Sequence, residues 1–326
     1  FIFILEVFVV IKVLLIIPNF FSYENYIKNE LEKLGYYVYL IYENPDEFSF
    51  KAKFQISLLN NKQKYYDKYF KNKIKNKRFD IVLAIRAAFL SESIIEYIRS
   101  TSPDAKFYMY QWDSIKNNHN ALVISTLFDK VMTFDIDDSK KYGWKYRPLF
   151  YIKSADRSGK RKYDISFIAT LHSKRVRIYQ IIKKSNRNCF LYLYSRCSHY
   201  LKERYINKNP DFLDVSFKEI KRKPLSLEET NTIMANSDII VDFTHPNQSG
   251  FTMRTCEAIG NKCKIVTNNK NIVKADFYNP NNIFIYNEPN YDIPEYFIKR
   301  DYIELSDEIY ERYSLTNWVN EIMSNE

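Results

Sequence analysis

Glycine is scarce in this chain, which has only five glycines among 326 residues. Nicotinamide-binding folds and P-loop proteins place glycines close together in the loop after a strand, where the backbone must approach a phosphate. The loop after the first apolar run, Pro18–Phe21, contains no glycine, and no P-loop pattern occurs elsewhere. The sequence therefore argues against a nucleotide-dependent oxidoreductase and against a P-loop enzyme.

Cysteine is also sparse, with four residues that are not arranged in the paired spacing of a metal site. Cys189 and Cys256 lie within apolar runs, where a buried free thiol is the expected state. A chain with such cysteines fits a reducing compartment. The expected location is the cytoplasm, with the inner face of the cytoplasmic membrane left open.

A long uninterrupted apolar run is missing as well. The first 17 residues are strongly apolar, but Glu6 and Lys12 interrupt them and no small-residue cleavage site follows. We interpret residues 1–11 as an N-terminal extension, and a membrane-dipping N-terminus is left open.

What the chain has in abundance is large apolar side chains, because 46% of its residues are hydrophobic and 17% are aromatic. These are enough to fill two cores, and the length fits two domains of about 150 residues each. The formal net charge of +10 is spread through lysine-rich stretches such as Lys62–Lys77. Phosphate-bearing substrates, anionic lipids and nucleic acid would all fit such a charge.

Apolar runs typical of buried strands alternate with segments of helical periodicity along the whole chain. Val13–Ile17 is the first such run, and a helix is predicted from Ser22 to Leu34 with Gly35 as its stop. This alternation predicts two doubly wound, parallel-sheet α/β domains facing a cleft. The predicted boundaries are an acceptor-side domain at 12–152, a linker at 153–162, a donor-binding domain at 163–304 and a closing C-terminal helix at 305–326.

The most specific segment follows the predicted strand that ends at Asp242. Ligands of parallel sheets bind outside the carboxyl ends of the strands, and here a loop of mostly small residues leads into a helix. Such a loop presents backbone amides that can hold a diphosphate. Arg254 adds a positive charge, and Glu257, about two turns into the helix, can accept hydrogen bonds from both hydroxyls of a ribose. The loop residues are Ser249, Gly250, Phe251 and Thr252.

The alternative interpretation of this segment is purely structural. An apolar face containing Phe251, Cys256 and Ile259 would pack into the core, while Arg254 and Glu257 would be solvated. A buried stripe and a functional N-terminus can coexist on one helix.

The segment from Ser249 to Gly260, with Lys264–Asn268 after it, resembles the donor-binding helix of two-domain glycosyltransferases of the GT-B architecture. It is similar to those of bacterial capsule, lipopolysaccharide and exopolysaccharide gene clusters, closely over residues 237–286 and loosely over 12–323. The resemblance implies transfer of a sugar from a nucleotide sugar to a cell-surface glycan or lipid-linked acceptor, with Glu257 contacting the ribose. Many retaining members have an acidic residue where this chain has Ser249, so the stereochemical outcome stays open.

A second loop follows the predicted strand Asp164–Ala169. In the resembled family this turn approaches the donor phosphates, so its polar residues are candidates for donor binding; the alternative is an ordinary capped helix with exposed basic side chains. These residues are His172, Ser173, Lys174 and Arg175. His245, in the loop after Asp242, is a candidate catalytic residue, and an incidental loop histidine is the alternative.

The first domain supplies the other candidates. Asp113 follows the predicted strand Lys106–Tyr110 and is a candidate general base for the acceptor hydroxyl, although it can equally cap a helix beginning at Ser114. Arg86, Asn19 and Tyr23 are candidates for contact with the acceptor or its phosphate. For Arg86 the alternative is a partly buried side chain paired with a nearby acid.

Asp135-Ile136-Asp137-Asp138 resembles the metal-binding Asp-x-Asp of the single-domain glycosyltransferase architecture. Asp135 is also a good N-cap for a helix over Ile136–Tyr142, with acids in the first turn, and we favour the cap. No cofactor is expected, and a divalent cation is not expected either. The expected partners are a nucleotide sugar and a glycan or lipid-linked acceptor, with peripheral contact to an anionic membrane left open.

Two other functions remain as alternatives at this stage. The basic charge and the many aromatic residues suit a nucleic-acid-binding α/β protein, although the aromatics fall largely on core positions and no recognition motif is visible. A catalytically inactive scaffold that binds a sugar or nucleotide is the second alternative.

Overall fold

Two six-stranded parallel sheets organise the part of the chain that the structure, a computed structural model, describes. That part comprises residues 10–44, 62–153, 160–171, 175–244, 248–286 and 292–324. The chain divides into two compact units. The first runs to Pro148 and also includes residues from Trp318 onward, and the second is Leu149–Asn317.

The first sheet has the strand order β2-β1-β3-β4-β5-β6, and all its neighbouring strands run parallel. Its central strand β1 is buried on both faces, because each side chain from Val13 to Ile17 is fully inaccessible to solvent. This burial explains why the run is apolar without alternation. The strands are β1 (Lys12–Ile17), β2 (Tyr37–Tyr42), β3 (Ile81–Ile85), β4 (Lys106–Gln111), β5 (Lys130–Thr133) and β6 (Lys145–Tyr146).

Helices connect these strands and cover the sheet. The first ends at Lys33, shortly before Gly35, whose φ of 90° lies in the left-handed region that suits glycine. The helices are α1 (Tyr23–Lys33), α2 (Lys62–Ile74), α3 (Glu92–Thr101), α4 (His119–Ile124) and α5 (Ile136–Tyr142). A short 3-10 turn, Ser125–Leu127, follows α4. The apolar faces of α2, α3 and α4 pack on one face of the sheet in a core that includes Phe70, Ile95 and Phe107.

The second sheet has the order β12-β11-β10-β7-β8-β9, again with parallel neighbours. Its strands are β7 (Tyr163–Thr170), β8 (Cys189–Tyr194), β9 (Ile220–Lys221), β10 (Ser237–Asp242), β11 (Lys264–Thr267) and β12 (Ile283–Ile285). Its core includes Phe167, Ile178 and Val241. Both units therefore have the parallel α/β architecture that the alternation of patterns predicts.

The helices of the second unit include one that follows β10 directly. The helices are α6 (Arg175–Lys184), α7 (Cys197–Leu201), α8 (Pro210–Leu213), α9 (Leu227–Ala235), α10 (Met253–Gly260), α11 (Glu295–Lys299), α12 (Asp307–Arg312) and α13 (Leu315–Met323). A π-helical turn, Lys202–Ile206, follows α7, and a 3-10 turn, Lys270–Lys274, follows β11. The second unit ends with Leu315–Asn317, the first residues of α13, and Trp318 onward belongs to the first unit.

The prediction of one closing helix over 305–326 is wrong, because the structure has two helices there, α12 and α13. Tyr151 N donates to the carbonyl of Tyr313 at 2.7 Å, and Leu315 N donates to the carbonyl of Tyr151 at 2.9 Å. A parallel bridge thus pairs Tyr151 with Ser314. Backbone groups that pair with Tyr151 are not available for helical bonds, so the helix is interrupted between Arg312 and Leu315.

The end of α10 lies close to the backbone and ring of Tyr151. A Cβ atom built on Gly260 would lie 2.5 Å from Tyr151 Cγ, and Tyr310 Oη donates to the carbonyl of Gly260 at 2.8 Å. Glycine is therefore required at this position because any side chain would overlap the tyrosine ring.

The four cysteines are free thiols; Cys256 and Cys263 are buried, while Cys189 and Cys197 are half-buried. None of the helices in the described ranges combines the length and the apolar character needed to cross a bilayer.

Candidate functional site

The start of α10 is joined to the end of β10 by one carboxylate. Asp242 is buried, and its Oδ2 atom accepts hydrogen bonds from the hydroxyls of Thr252 at 2.7 Å and Thr255 at 2.6 Å. Thr252 is the N-cap and also accepts from Thr255 N at 3.2 Å. The amides of Met253 and Arg254 come before the first helical hydrogen bond, so helix geometry gives them no partner within the helix. These amides and the helix dipole favour an anion at this end.

Glu257 and Arg254 form an ion pair on the same helix, with 2.8 Å between Arg254 Nη1 and Glu257 Oε2. The Glu257 side chain is only 5% exposed, whereas that of Arg254 is 22% exposed. The two side chains are therefore not simply solvated, as the structural alternative assumed. The apolar face of the helix is buried as predicted at Phe251, Cys256 and Ile259.

Three asparagines after β11 hold the loop that leads into α10. Asn268 forms two hydrogen bonds with the backbone of Thr244, through Thr244 N at 2.8 Å and the Thr244 carbonyl at 3.3 Å. Asn269 Nδ2 donates to the Gly250 carbonyl at 3.0 Å, and Asn271 Nδ2 donates to the Ser249 carbonyl at 3.3 Å. The carbonyls of this loop are thereby occupied by amide donors.

Arg175 lies at the start of α6 and bridges the ends of two strands. Its guanidinium donates to the carbonyl of Phe243 at 2.7 Å through Nη2 and to the carbonyl of Thr170 at 3.3 Å through Nη1. Burial lowers the pKa of Arg175, and the nearby Arg254 lowers it further, whereas the Asp242 carboxylate opposes the shift. Arg175, Arg254 and Asp242 therefore belong to one electrostatic environment. His172, Ser173, Lys174 and His245 lie outside the described residues.

In the first unit, Asp113 follows β4 and caps a turn. Its Oδ1 atom accepts from Ser114 N at 3.1 Å and from Asn117 Nδ2 at 3.0 Å. The prediction of a helix beginning at Ser114 is wrong, because a turn occupies residues 115–117 and α4 begins at His119. Asn118 has an extended φ of −134°, and its side chain donates to Gln111 Oε1 at 3.1 Å. The backbone of Asn118, with a ψ of 71°, therefore separates the turn from α4.

Arg86 begins the loop after β3, next to a fully buried carboxylate. Its Nε atom lies 3.9 Å from Glu43 Oε1, and 28% of its side chain is exposed. Arg86 is thus paired with an acid, as the structural alternative expects. The pairing leaves the acceptor-binding hypothesis open, because the guanidinium stays partly accessible.

The other two acceptor-side candidates lie after β1 and differ in exposure. Asn19 is exposed, whereas Tyr23 is buried and stacks on the ring of Phe20 with 6.3 Å between the ring centroids. Tyr23 therefore presents little surface of its own, and Phe20 and Phe21 are exposed aromatic groups of this turn.

Comparisons with known proteins bear on the fold. No protein-family model matches the sequence, and no curated protein sequence matches it. Among solved structures, Anabaena Alr3699/HepE in complex with UDP-glucose matches with a TM-score of 0.53 and 10% identity, covering 96% of this chain and 98% of that chain. The chain has the two-domain fold of GT-B glycosyltransferases. The calicheamicin glycosyltransferase CalG4 matches with a TM-score of 0.45, 8% identity, and coverage of 97% and 95%.

The aspartates that resemble the metal-binding motif of the single-domain glycosyltransferase architecture form a helix cap in this chain. Asp135 accepts from the amides of Asp137 and Asp138, which confirms the N-cap. Asp138 Oδ2 accepts from Ile115 N at 2.8 Å, and burial raises the pKa of Asp138. Across the described ranges, no three His, Cys, Asp or Glu side chains group as metal ligands.

Sequence reasoning missed several residues at the strand ends of this chain. It predicts Asp242 only as the end of a strand and Asn268 only as part of the segment that carries the resemblance. It does not single out Asn269, Asn271 or the buried Glu43. An acidic residue ending a buried strand ten residues before a threonine N-cap, and the cluster Asn268-Asn269-x-Asn271, are signals in the sequence. Both become meaningful only once the strand order places β10 beside β11.

Proposed function

We propose that this chain is a glycosyltransferase that moves a sugar from a nucleotide-sugar donor to a glycan or lipid-linked acceptor. The observation that carries the proposal is the start of α10, where Thr252 and Thr255 bind Asp242 at the end of β10 and the carboxylate of Glu257 follows on the same helix. The GT-B fold supports it, and so does the UDP-glucose bound to the Anabaena protein of the same fold.

In the proposed binding mode, the donor diphosphate lies at the loop 249–252 and the first amides of α10. The helix dipole and Arg254 balance its negative charge. Arg175 adds positive charge nearby, and the loop containing His172, Ser173 and Lys174 supplies further donors. These cations would neutralise the leaving diphosphate without a metal ion, so we propose a metal-independent reaction.

Glu257 in this proposal accepts hydrogen bonds from the ribose hydroxyls. Its ion pair with Arg254 keeps one carboxylate oxygen oriented, and the small exposed fraction of its side chain limits the competition from water. A charged acceptor that is already partly desolvated loses less hydration when it binds a ribose. This contact would recognise the nucleoside part of the donor and not the transferred sugar.

Replacing Glu257 by Ala is expected to weaken binding of the donor nucleotide by about 10-fold to 100-fold, since hydrogen bonds to a charged group are worth about 1.5–3 kcal/mol. Isothermal titration with UDP and with UDP-glucose measures this. Glu228→Ala provides the matched control, because Glu228 is an exposed glutamate of the same unit. Donor affinity that is equal in wild type and Glu257→Ala, with both proteins folded, would remove Glu257 from the site.

The chemical step needs a base that takes the proton of the acceptor hydroxyl. Asp113 is our first candidate for this base and His245 the second. We propose that Arg86, Asn19 and Tyr23 contact the acceptor. A carboxylate that is partly exposed at the end of a parallel strand is accessible to a substrate.

We also propose peripheral contact with an anionic membrane through the basic face of α2. Lys68 and Lys71 on this helix and Lys75 directly after it are exposed and are spaced so that they share one face. None of the ion pairs in the described residues of the first unit includes these lysines. Unpaired lysines on one face attract the surface of an anionic bilayer.

The triple substitution of Lys68, Lys71 and Lys75 by Gln is expected to lower binding to phosphatidylglycerol vesicles by about 100-fold, at about 1 kcal/mol for each lysine. Co-sedimentation at low salt measures the binding. Gln at Lys202, Lys218 and Lys223 removes the same charge from exposed positions of the second unit and is the control. Equal losses in the two triple variants would show a general charge effect and would refute this docking face.

The comparisons give no support to the nucleic-acid-binding alternative. An inactive scaffold that binds the nucleotide sugar shares the donor site with an enzyme. Turnover separates the two, because a scaffold binds UDP-glucose without releasing UDP.

A further inference from the structure

The loop after β3 starts with two strained residues. Arg86 has a φ of 72° and Ala87 a φ of 56°, and neither is a glycine. Left-handed backbone at two consecutive residues with side chains is unfavourable and persists only where the surroundings impose it. The strain therefore calls for an explanation beyond the connection of β3 to α3.

Polar side chains from three other segments hold this loop. Each binds its backbone, so the position and direction of Arg86 are fixed by long-range contacts. The hydrogen bonds are Ala88 N to Glu43 Oε1 at 2.9 Å, Gln111 Nε2 to the Arg86 carbonyl at 2.8 Å, Asn118 Nδ2 to the Arg86 carbonyl at 2.6 Å, and Asn120 Nδ2 to the carbonyls of Ala87 at 2.9 Å and Leu90 at 2.8 Å.

The hydrogen bonds of this network bind the backbone of the loop and not the guanidinium of Arg86. Its Nε atom is buried and makes no hydrogen bond within the described part of the chain. The nearest carboxylate oxygen, Glu43 Oε1, lies 3.9 Å away and already accepts from Ala88 N. Glu43 therefore orients the charge, and the guanidinium carbon lies 5.8 Å from the centroid of the Phe89 ring. The exposed part of the guanidinium can donate to an anion.

Aromatic rings lie on either side of Arg86 in the sheet order, an exposed one at Phe20 and a half-buried one at Trp112. Phe20 follows β1 and Trp112 follows β4, and β3 lies between these two strands. The rings of Phe20 and Trp112 are nevertheless in contact, with 6.1 Å between their centroids. Phe20 and Phe21 are 47% and 45% exposed, and the φ of Phe21 is also positive, at 51°. The end of β3 thus has a positive charge beside an apolar surface.

We propose that this edge of the first sheet is a binding site for a phosphorylated amphiphile, and that the acceptor of the proposed transfer belongs to that class. The guanidinium of Arg86 binds the phosphate or diphosphate, and the rings of Phe20 and Phe21 cover the adjoining apolar chain. That the bound amphiphile is the acceptor rests on the proposed function. The binding site itself is inferred from residues of the first unit alone. A neutral soluble glycan would leave both the charge and the aromatic surface without a use.

The test compares inorganic pyrophosphate with geranyl diphosphate, titrated into the whole chain in the presence of saturating UDP. UDP occupies the proposed donor site, so the remaining diphosphate binding reports on the first unit. Geranyl diphosphate is expected to bind wild type about 10-fold tighter than pyrophosphate, because its chain removes apolar surface from water. Arg86→Gln is expected to weaken both ligands by about 10-fold or more.

Two further variants separate charge, geometry and apolar contact. Arg86→Lys keeps the charge but not the planar fork, so its affinity should fall between those of wild type and Arg86→Gln. Phe20→Ser should reduce the affinity for geranyl diphosphate towards that for pyrophosphate. Arg78→Gln removes an exposed arginine of the same unit and should change neither affinity.

Unchanged affinity for geranyl diphosphate in Arg86→Gln overturns the proposal. So does a wild type that binds pyrophosphate as tightly as geranyl diphosphate, because the site would then take free diphosphate and not a lipid phosphate. A failure of UDP to bind counts against the proposed function instead, since UDP is measured separately and does not involve Arg86.

Discussion

Asp113→Asn is expected to lower kcat by about 10²-fold to 10⁴-fold, the range that general base catalysis contributes. Asparagine keeps the size of the side chain and an oxygen that can accept from Ser114 N and Asn117 Nδ2. The turn should therefore remain intact while the proton acceptor is lost. The affinity for UDP-glucose should not change. Initial rates of UDP release with an acceptor, together with titration of UDP-glucose, separate these two effects.

Asp137→Asn is the matched control, because Asp137 is an exposed aspartate at the start of α5 in the same unit. A kcat that stays within a few fold of wild type in Asp113→Asn would show that Asp113 only caps the turn. His245 would then become the candidate to test. A loss of activity in both variants would point to stability or charge and not to proton transfer.

Trp318→Ala is expected to lower the free energy of unfolding by about 3–5 kcal/mol, the usual cost of removing a large buried aromatic side chain. Trp318 is fully buried and meets the ring of Tyr110 edge to face, with 4.8 Å between the centroids. Tyr110 in turn donates to the carbonyl of Arg147 at 2.9 Å. The indole thus anchors the end of the chain to the first sheet.

Urea denaturation followed by circular dichroism and by tryptophan fluorescence measures this loss, and each transition should be fitted separately because two compact units need not unfold together. Trp144→Ala is the control, since Trp144 is only half-buried and packs on Tyr142 at the margin of the core. A loss in Trp318→Ala no greater than that in Trp144→Ala would mean that α13 contributes little to the first unit.

Polar contacts reinforce the attachment of this terminal helix. Lys130 Nζ donates to the carbonyls of Glu321 at 2.9 Å and Ser324 at 3.0 Å, where helical carbonyls have no partner of their own. The carboxylate of Glu321 lies 2.7 Å from Arg147 Nε, whose side chain is 1% exposed. A buried guanidinium without this carboxylate would be costly, so the end of the chain is required to satisfy a charge in the first unit.

Side-chain hydrogen bonds hold the start of α10 and the loop before it in place. Asp242 fixes both threonines at the start of α10, and the asparagines after β11 fix the loop that precedes it. A preformed site loses less conformational entropy on binding. The same reasoning applies to Arg86, whose turn is held by side chains from three segments.

Strands and capped helices were predictable because their signals are local. The buried run Val13–Ile17 became part of β1, and Asp135 became the N-cap of α5. The break between α12 and α13 was not predictable, because its cause is the backbone of Tyr151, far away in sequence. The missing helix at Ser114 has the same kind of cause, since Asn118 binds the end of β4.

The residues of the candidate site also include some that the sequence alone could indicate and some that it could not. Loop 249–252, Arg254 and Glu257 are close in sequence, so one segment was enough to propose them as a group. Arg254 and Glu257 are three residues apart on one helix, whereas the pairing of Arg86 with Glu43 appears only in three dimensions.

The sequence alone determined the alternation of strands and helices, the parallel α/β class of both units and the segment around Gly250 as the place to look for a donor. Periodicity, burial and capping are properties of neighbouring residues, so they can be read along the chain. Only the tertiary structure decided which strands are neighbours, where the last helix is interrupted and which carboxylates lie beside Arg86 and Arg147. Those contacts join residues tens to hundreds of positions apart, and their free energy depends on a packing that no local pattern encodes.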